Sequence, residues 1–396
     1  LALNAFARLI LLAGSVGLAA VVSLPVPARA QTGAAPSGPA ASEAPAATPP
    51  AAARPSATRG LPKALAGRVQ AGIASFLRAP VPPDRSVQNL GWDCMAAAAL
   101  LEAGEEAARP RLRALAAAIA ALAVRDPMTR QARGWAAPLN SPQCAAGGFD
   151  AFGDGSCNRS DTVYGFQSGL AIACLAQSGR LADDAEALRV AGEAMASWRT
   201  RQLPAASLCE RCIYFATSDH ANDAGRYVRN MSLFVGLGAA ALALSTKDSD
   251  LAELAQRSWR ADAEERRLGN RGYLGSLDAQ WRSRPSERDR IEDHSAAVAI
   301  VVEQLGRWLG SAQAQDHAKV VWQDWATCDN ERCRSAGCGY WAGDAARCQG
   351  TFTAVHCAFR QSDPRAASQC LTYLDKAPRV APMAIWALAL GDRSRS

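Results

Sequence analysis

Strand signals are nearly absent from this sequence: no long stretch alternates branched or aromatic residues with polar ones. That excludes an architecture built mainly from half-buried sheets and leaves an all-α reading. The nucleophile-elbow, P-loop, HExxH and dinucleotide-binding patterns are also missing. Covalent haem c attachment has no CxxCH to use. The 31 glycines and 21 prolines follow no triplet repeat, so a collagen-like chain is excluded. Charge of one sign is scarce: 43 Lys and Arg against 37 Asp and Glu give +6, too small and too dispersed for a nucleic-acid-binding surface. A 49% hydrophobic content with 20% charged residues excludes wholesale disorder and a coiled rod.

What is present begins with a targeting pattern. Arg8 precedes an apolar run from Leu9 to Ala20, and Ala28-Arg29-Ala30 supplies a small-x-small site. A secretory signal over residues 1–30 is expected, cleaved between Ala30 and Gln31. Pro25 and Pro27 favour removal over a retained membrane anchor. Residues 31–60 contain seventeen Ala or Pro and no aromatic or branched aliphatic side chain. Such a segment buries too little apolar area to offset its ordering entropy and reads as a disordered tether. Residues 61–396 are expected to form a single all-helical domain, in the periplasm or secreted.

Twelve cysteines in an exported chain imply disulfides. Bonds are expected at Cys94, Cys144, Cys157, Cys209, Cys212, Cys328, Cys333, Cys338, Cys348, Cys357 and Cys370, with Cys174 open as a buried thiol in an apolar helix. The dense set over 328–370 suggests a segment held by crosslinks more than by a core. Cys209-Glu210-Arg211-Cys212 is a CxxC unit that a structural bond explains more simply than a redox pair or a zinc half-site.

Helical periodicity recurs near 62–78, 92–106, 108–125, 161–178, 182–202, 222–246, 249–267, 292–309, 311–326 and 379–390. Some of these segments are apolar on most faces: Gly165 to Ala176, Met231 to Leu244, His294 to Val302 and Ala381 to Leu390. Others are amphipathic: Ala182 to Arg199, Asp250 to Arg267 and Ala314 to Trp325. A near-apolar helix followed by an amphipathic one implies a buried layer inside an exposed one. Glycines 165, 169, 236 and 238 would allow the inner helices to approach closely. This order of inner and outer helices resembles the (α/α) toroid folds over about residues 90–390. Exported members of those folds include many polysaccharide lyases and glycoside hydrolases. The resemblance implies an (α/α) barrel or incomplete toroid.

The polar turns before the inner helices hold the candidate chemistry. In Ser218 to Asn230, the residues His220, Asp223, Tyr227 and Asn230 are spaced three, four and three apart. A helix starting by Asp219 would project all four from one face, with Arg226 and Arg229 beside them. Asn and Arg could neutralise a sugar carboxylate while His and Tyr serve as base and acid. In the loop 147–164, Asp154, Ser156, Asn158 and Asp161 have the oxygen-rich spacing of a calcium loop but lack its closing glutamate, so calcium is a possibility and no cofactor is assigned. Asp161 and Tyr164 could instead line a cavity mouth, or Asp161 could cap a helix. Glu292 and His294 form a further acid–histidine unit. His356 with Arg360 is a fourth, and His317 reads as a surface residue of an outer helix. Among the loop aromatics, Trp281 and Tyr273 are candidates to stack on a sugar, alongside Trp92, Trp135, Trp341 and Tyr340.

The resulting expectation is an exported polysaccharide-degrading enzyme. Its catalytic candidates are His220, Tyr227, Asp161, Asp223, Glu292 and His294. Its substrate-binding candidates are Arg226, Arg229, Asn230, Tyr164, Trp281 and Tyr273. Hydrolysis would need two of the carboxylates across a cleft, and elimination would lean on His220 and Tyr227. The alternative is a non-catalytic periplasmic binding or assembly protein. The partner in either case is a polysaccharide or another extracytoplasmic ligand.

Overall fold

Six helices in the described chain are buried along most of their length, and each is joined to a more polar partner. The computed structural model describes residues 56–137, 141–144, 148–150, 152, 155–269, 274–276, 293–328, 340 and 350–392. Inner helices are α2 (Val87–Glu102), α4 (Gly165–Ala182), α6 (Arg229–Thr246), α8 (Asp293–Trp308), α10 (Thr351–Phe359) and α12 (Pro382–Asp392). Outer helices are α1 (Lys63–Arg78), α3 (Ala108–Ala121), α5 (Ala185–Arg199), α7 (Ser249–Arg267), α9 (Ala312–Ala326) and α11 (Pro364–Lys376). Each inner helix packs on the next, from α2 through α12, and α12 packs back on α2. The ring is therefore closed, an (α/α) barrel rather than an open solenoid.

The inner-to-outer connections are short and locally determined. Asp183 and Lys247, at φ +53° and +61°, end α4 and α6 in the left-handed region. The next residues, Asp184 and Asp248, cap α5 and α7 by accepting from Ala187 N and Asp250 N. These two-residue turns reverse the chain, so α4 and α6 each run back along the outer helix that follows, and the Tyr164–Ser218 bridge sets the starts of α4 and α6 side by side. The longer connections lead into the inner helices, and their described parts include 122–137, 155–164, 200–228 and 274–276. Three short antiparallel strand pairs are found among the described residues. They are β1 (Val124–Arg125) with β2 (Ala132–Gly134), β3 (Gln202–Pro204) with β4 (Ile213–Phe215), and β5 (Arg226–Val228) with β6 (Leu274–Ser276).

Small residues set the inner spacing. A Cβ on Gly169 of α4 would lie 2.1 Å from the Phe234 carbonyl of α6, and one on Gly238 would lie 2.9 Å from the Gly169 carbonyl oxygen. Any larger residue at Gly169 would force the two backbones apart. Trp92 of α2 contacts Phe234 of α6 edge-on at 5.7 Å, although α4 lies between those helices in the ring. Trp386 Nε1 of α12 likewise donates to Gln304 Oε1 of α8 at 2.9 Å, past α10. Both contacts must cross the lumen. With Phe166, 4.3 Å from Phe234, Trp92 and Phe234 plug it one to two turns into their helices, whereas Gln304 lies deeper, eleven residues into α8.

The segment 351–376 departs from expectation. It is the helix pair α10–α11, built on buried Phe352, Val355, Phe359, Tyr373 and Leu374, and it closes the ring. Cys357–Cys370 pins the pair together. Cys174 is no free thiol: it is bonded to Cys94 across α2 and α4. Cys144–Cys157 and Cys209–Cys212 are local bonds, and Cys328 is also disulfide-bonded. Cys333, Cys338 and Cys348 lie outside the described residues.

Candidate functional site at the barrel mouth

Two long connections meet over the starts of α4 and α6. Tyr164, the residue before α4, bridges to Ser218, and Gly165 N donates to the Thr217 carbonyl at 2.9 Å. Asp219 locks the junction: its Oδ1 accepts from Val163 N at 3.0 Å, its own N donates to the Val163 carbonyl, and its Oδ2 meets Arg133. The residues that follow, 220–228, are thereby held over the mouth.

Within that turn Asp223 is 1% exposed. Its Oδ2 accepts from Asn158 Nδ2 at 2.7 Å and from Ser218 Oγ at 2.5 Å. Its Oδ1 has no hydrogen-bond partner among the described residues. Burial pushes its carboxyl above the usual range, and the Ser218 and Asn158 hydrogen bonds, with Arg226 and His220 nearby, offset this only in part. The same Asn158 amide donates to the Tyr164 hydroxyl at 3.0 Å. Burial raises the Tyr164 phenol well above its normal value, so Tyr164 stays protonated. Arg226 lies with its guanidinium 3.5 Å from the centroid of the Phe152 ring. His220 is half-buried, and its Nδ1 accepts from Asn222 N at 3.2 Å. The neutral imidazole therefore carries its proton on Nε2.

The structure thus brings together His220, Asp223, Arg226 and Tyr164. It separates Tyr227 and Arg229 from them. The expected helix start at Asp219 is replaced by a 3-10 turn, Ala221–Asp223, then Gly225 at φ +74° and strand β5. Side chains alternate along a strand, so Tyr227 points away from Arg226. It stacks on Tyr214 at 3.8 Å and donates to Glu265 Oε1 at 2.6 Å. Arg229 is fully buried with Asp262, at 2.6 Å, and Glu265. His317, expected at the surface, is buried with Nε2 2.8 Å from Asp262 Oδ2. The missed acids Asp262 and Glu265 continue the stripe Leu251, Leu254, Ala255, Ser258 and Trp259 along the buried face of α7. Acids on an apolar stripe were the readable signal.

Asn230 turns its Oδ1 onto Met231 N at 2.8 Å, the local bond of a helix start. Asp161 neither caps α4 nor joins the mouth: it is exposed and pairs with Arg159 at 3.2 Å, while Tyr164 occupies the cap position. His356 is buried among Trp325, Tyr340 and Tyr373. Trp135 is buried, with Nε1 donating to the Ile119 carbonyl at 2.7 Å. Glu292, Trp281 and Tyr273 lie outside the described residues, as does the side chain of His294 in the first turn of α8. Among the described residues, no group of three His, Cys, Asp or Glu is placed to hold a metal ion.

A closed (α/α) barrel with its longer connections leading into the inner helices is the class that the fold defines. Cellobiose 2-epimerase from Spirochaeta thermophila DSM 6192 shares this fold with a TM-score of 0.52 and 12% identity, covering 85% of this chain and 97% of that one. A sugar epimerase from a ruminal bacterium is also similar, with a TM-score of 0.48 and 9% identity over 78% of this chain and 87% of that one. No protein-family model and no curated protein sequence matches the chain.

Proposed function

We propose that this chain is an exported carbohydrate-active enzyme that seats a saccharide at the barrel mouth and transfers a proton there. The observation that carries this reading is the grouping of His220, whose Nε2 has no partner among the described residues, with Asp223, Arg226 and Tyr164 where two connections meet before α4 and α6. Trp92 and Phe166 are the plug members that retain exposure, 9% each, and suit the apolar face of a sugar ring. The likeness to a cellobiose 2-epimerase supports the sugar-handling part.

Abstraction of a proton beside a carbonyl or carboxylate is the favoured step. It begins both epimerisation of a reducing sugar and β-elimination of a uronate polymer. Hydrolysis is less well supported, because it needs two carboxylates flanking one bond. Asp161 is on the surface and Asp219 is held by Arg133. Elimination must also proceed without Tyr227, which Glu265 engages.

Incubation with reducing disaccharides and with uronate polymers in deuterated water separates the outcomes. Deuterium at C2 of a recovered sugar identifies epimerisation, and new absorbance from unsaturated uronates identifies elimination. Neither signal across both panels would overturn the proton-abstraction reading. Saccharide binding without turnover would then favour a non-catalytic binding protein, a reading consistent with the deep burial of Asp223.

A further inference from the structure

We propose that the Cys144–Cys157 disulfide is a redox-sensitive staple of the barrel mouth: it holds Asn158 as the positioning residue of the His220–Asp223 turn, and its two-electron reduction releases that turn. The regulatory meaning rests on the functional reading above, but the structural coupling does not.

The dipeptide Cys157-Asn158 joins the two long connections beside the Asp219–Val163 junction and the Arg226–Phe152 contact. Asn222 Nδ2 donates to the Cys157 carbonyl at 3.1 Å. The Asn158 amide reaches Asp223 at 2.7 Å and Tyr164 at 3.0 Å. Asn158 is fixed from behind by paired backbone hydrogen bonds with Phe149, at 2.9 and 3.1 Å. Among the described residues of the connection 122–164 no helix is found, and the backbone hydrogen bonds around Asn158 are local. Asp150 gathers part of it, accepting from Phe152 N and Gly155 N, and Ser141 Oγ accepts from Asp150 N. The disulfide closes a loop around these contacts, with its cysteines 13 residues apart. Opening that loop restores chain entropy next to Asn158.

Access makes the reaction selective. Cys144 and Cys157 are half-buried, whereas Cys94, Cys174, Cys357 and Cys370 are fully buried. Thiol–disulfide exchange requires a thiolate to reach one sulfur. A dithiol reductant attacks the Cys144–Cys157 bond to form a mixed disulfide, and its second thiol then displaces the protein thiol. The protein gains two electrons and two protons as two thiols, and the reductant leaves as its own disulfide. The Cys209–Cys212 bond is also reachable at Cys209, and it serves as the control.

The test uses the full folded chain. Limited treatment with dithiothreitol is followed by alkylation, mass mapping of the modified cysteines and amide hydrogen exchange. Alkylation is expected at Cys144 and Cys157 before any of the four buried cysteines. Exchange over 218–224 should rise about tenfold while α4 and α6 stay protected. Reoxidation of unalkylated protein should restore protection. A Cys144→Ser/Cys157→Ser protein and oxidised Asn158→Ala should both reproduce the increase, and Cys209→Ser/Cys212→Ser should not. If the double serine protein fails to fold, the reduced and alkylated native protein gives the same readout. Unchanged exchange over 218–224, exchange spreading through α4 and α6, or prior reduction of the buried pairs would each overturn the proposal. Saccharide binding measured alongside separates the two readings. Loss of binding on reduction supports both, whereas no binding by the oxidised protein sinks the functional reading and leaves the exchange result standing.

Discussion

On one side of strand β5, Asp223 is met by the neutral donors Ser218 and Asn158, and its second oxygen is unmatched among the described residues. On the other side, Asp262 spends both oxygens on charged or chargeable groups. Oδ1 takes Arg229 at 2.6 Å, while Oδ2 takes Arg266 at 3.1 Å and His317 at 2.8 Å. Burial disfavours charge on both. At Asp262 the two arginines and His317 outweigh it and hold the carboxyl well below its usual range, whereas at Asp223 burial wins. Similar depth thus yields a fixed ionic joint in one case and a carboxyl that can change charge in the other. Compensation distinguishes them, and it marks the Asp223 side as the better candidate for chemistry.

The largest expected effect breaks the ionic side. Asp262→Ala leaves Arg229 buried without its main counter-charge and should destabilise the protein by about 3–5 kcal/mol in chemical denaturation. A loss under about 1 kcal/mol would show that water or Glu265 replaces Asp262, and would remove the basis for calling this side structural. The complementary change on the mouth side is His220→Ala. It should lower turnover about a hundredfold or more, the range for loss of a general acid–base group, with the unfolding midpoint little changed. Equal loss of stability and activity would mean that His220 serves the fold through its Asn222 contact instead.

Tyr227 sharpens the comparison because its neighbour Arg226 faces the other way. Tyr227→Phe keeps the Tyr214 stack and removes the hydroxyl donated to Glu265. A hydrogen bond to a charged group predicts a stability loss of about 1.5–3 kcal/mol. Turnover should stay at the wild-type level. A specific fall in turnover with stability preserved would restore the role first read for Tyr227 in the sequence.

That misreading shows where the sequence stops being informative. The inner and outer layers were legible because α4, α6 and α12 are apolar on nearly every face, while α5 and α7 are striped. Two things did not follow from periodicity. The pair α10–α11 was hidden because Thr351-Phe352-Thr353-Ala354-Val355 is rich in β-branched and aromatic residues with weak helix propensity, which tertiary packing overrides. The turn 219–228 was misassigned because spacings of three and four fit a helix, whereas the backbone breaks at Gly225 and runs as a strand. A period of two in place of 3.6 sends Tyr227 to the opposite side. Asn158 was visible only as an oxygen donor in a loop, since its contact with Asp223 spans 65 positions.

The smallest effect on the fold should come from Asp223→Asn, and its sign separates the two carboxyls. Asn can accept at one position and place its amide at the oxygen that lacks a partner, so stability at neutral pH should change by about 0.5 kcal/mol or less. The pH dependence should change in a defined direction. A folded-state pKa above the ordinary 3.8 means that the native protein holds this proton more tightly than the unfolded chain does. The resulting stability is fully present below 3.8 and is lost as pH rises through the raised folded value. Asp262 behaves oppositely: its contribution is present above 3.8 and is lost as pH falls through its depressed value. Subtracting each variant's stability–pH curve from that of the wild type isolates each carboxyl, including from Asp93, whose burial also raises its pKa. The Asp223→Asn difference should decline with rising pH and the Asp262→Asn difference should climb. Curves of the same sign would mean that Asp223 is compensated in solution as Asp262 is, and would leave the mouth without its poised carboxyl.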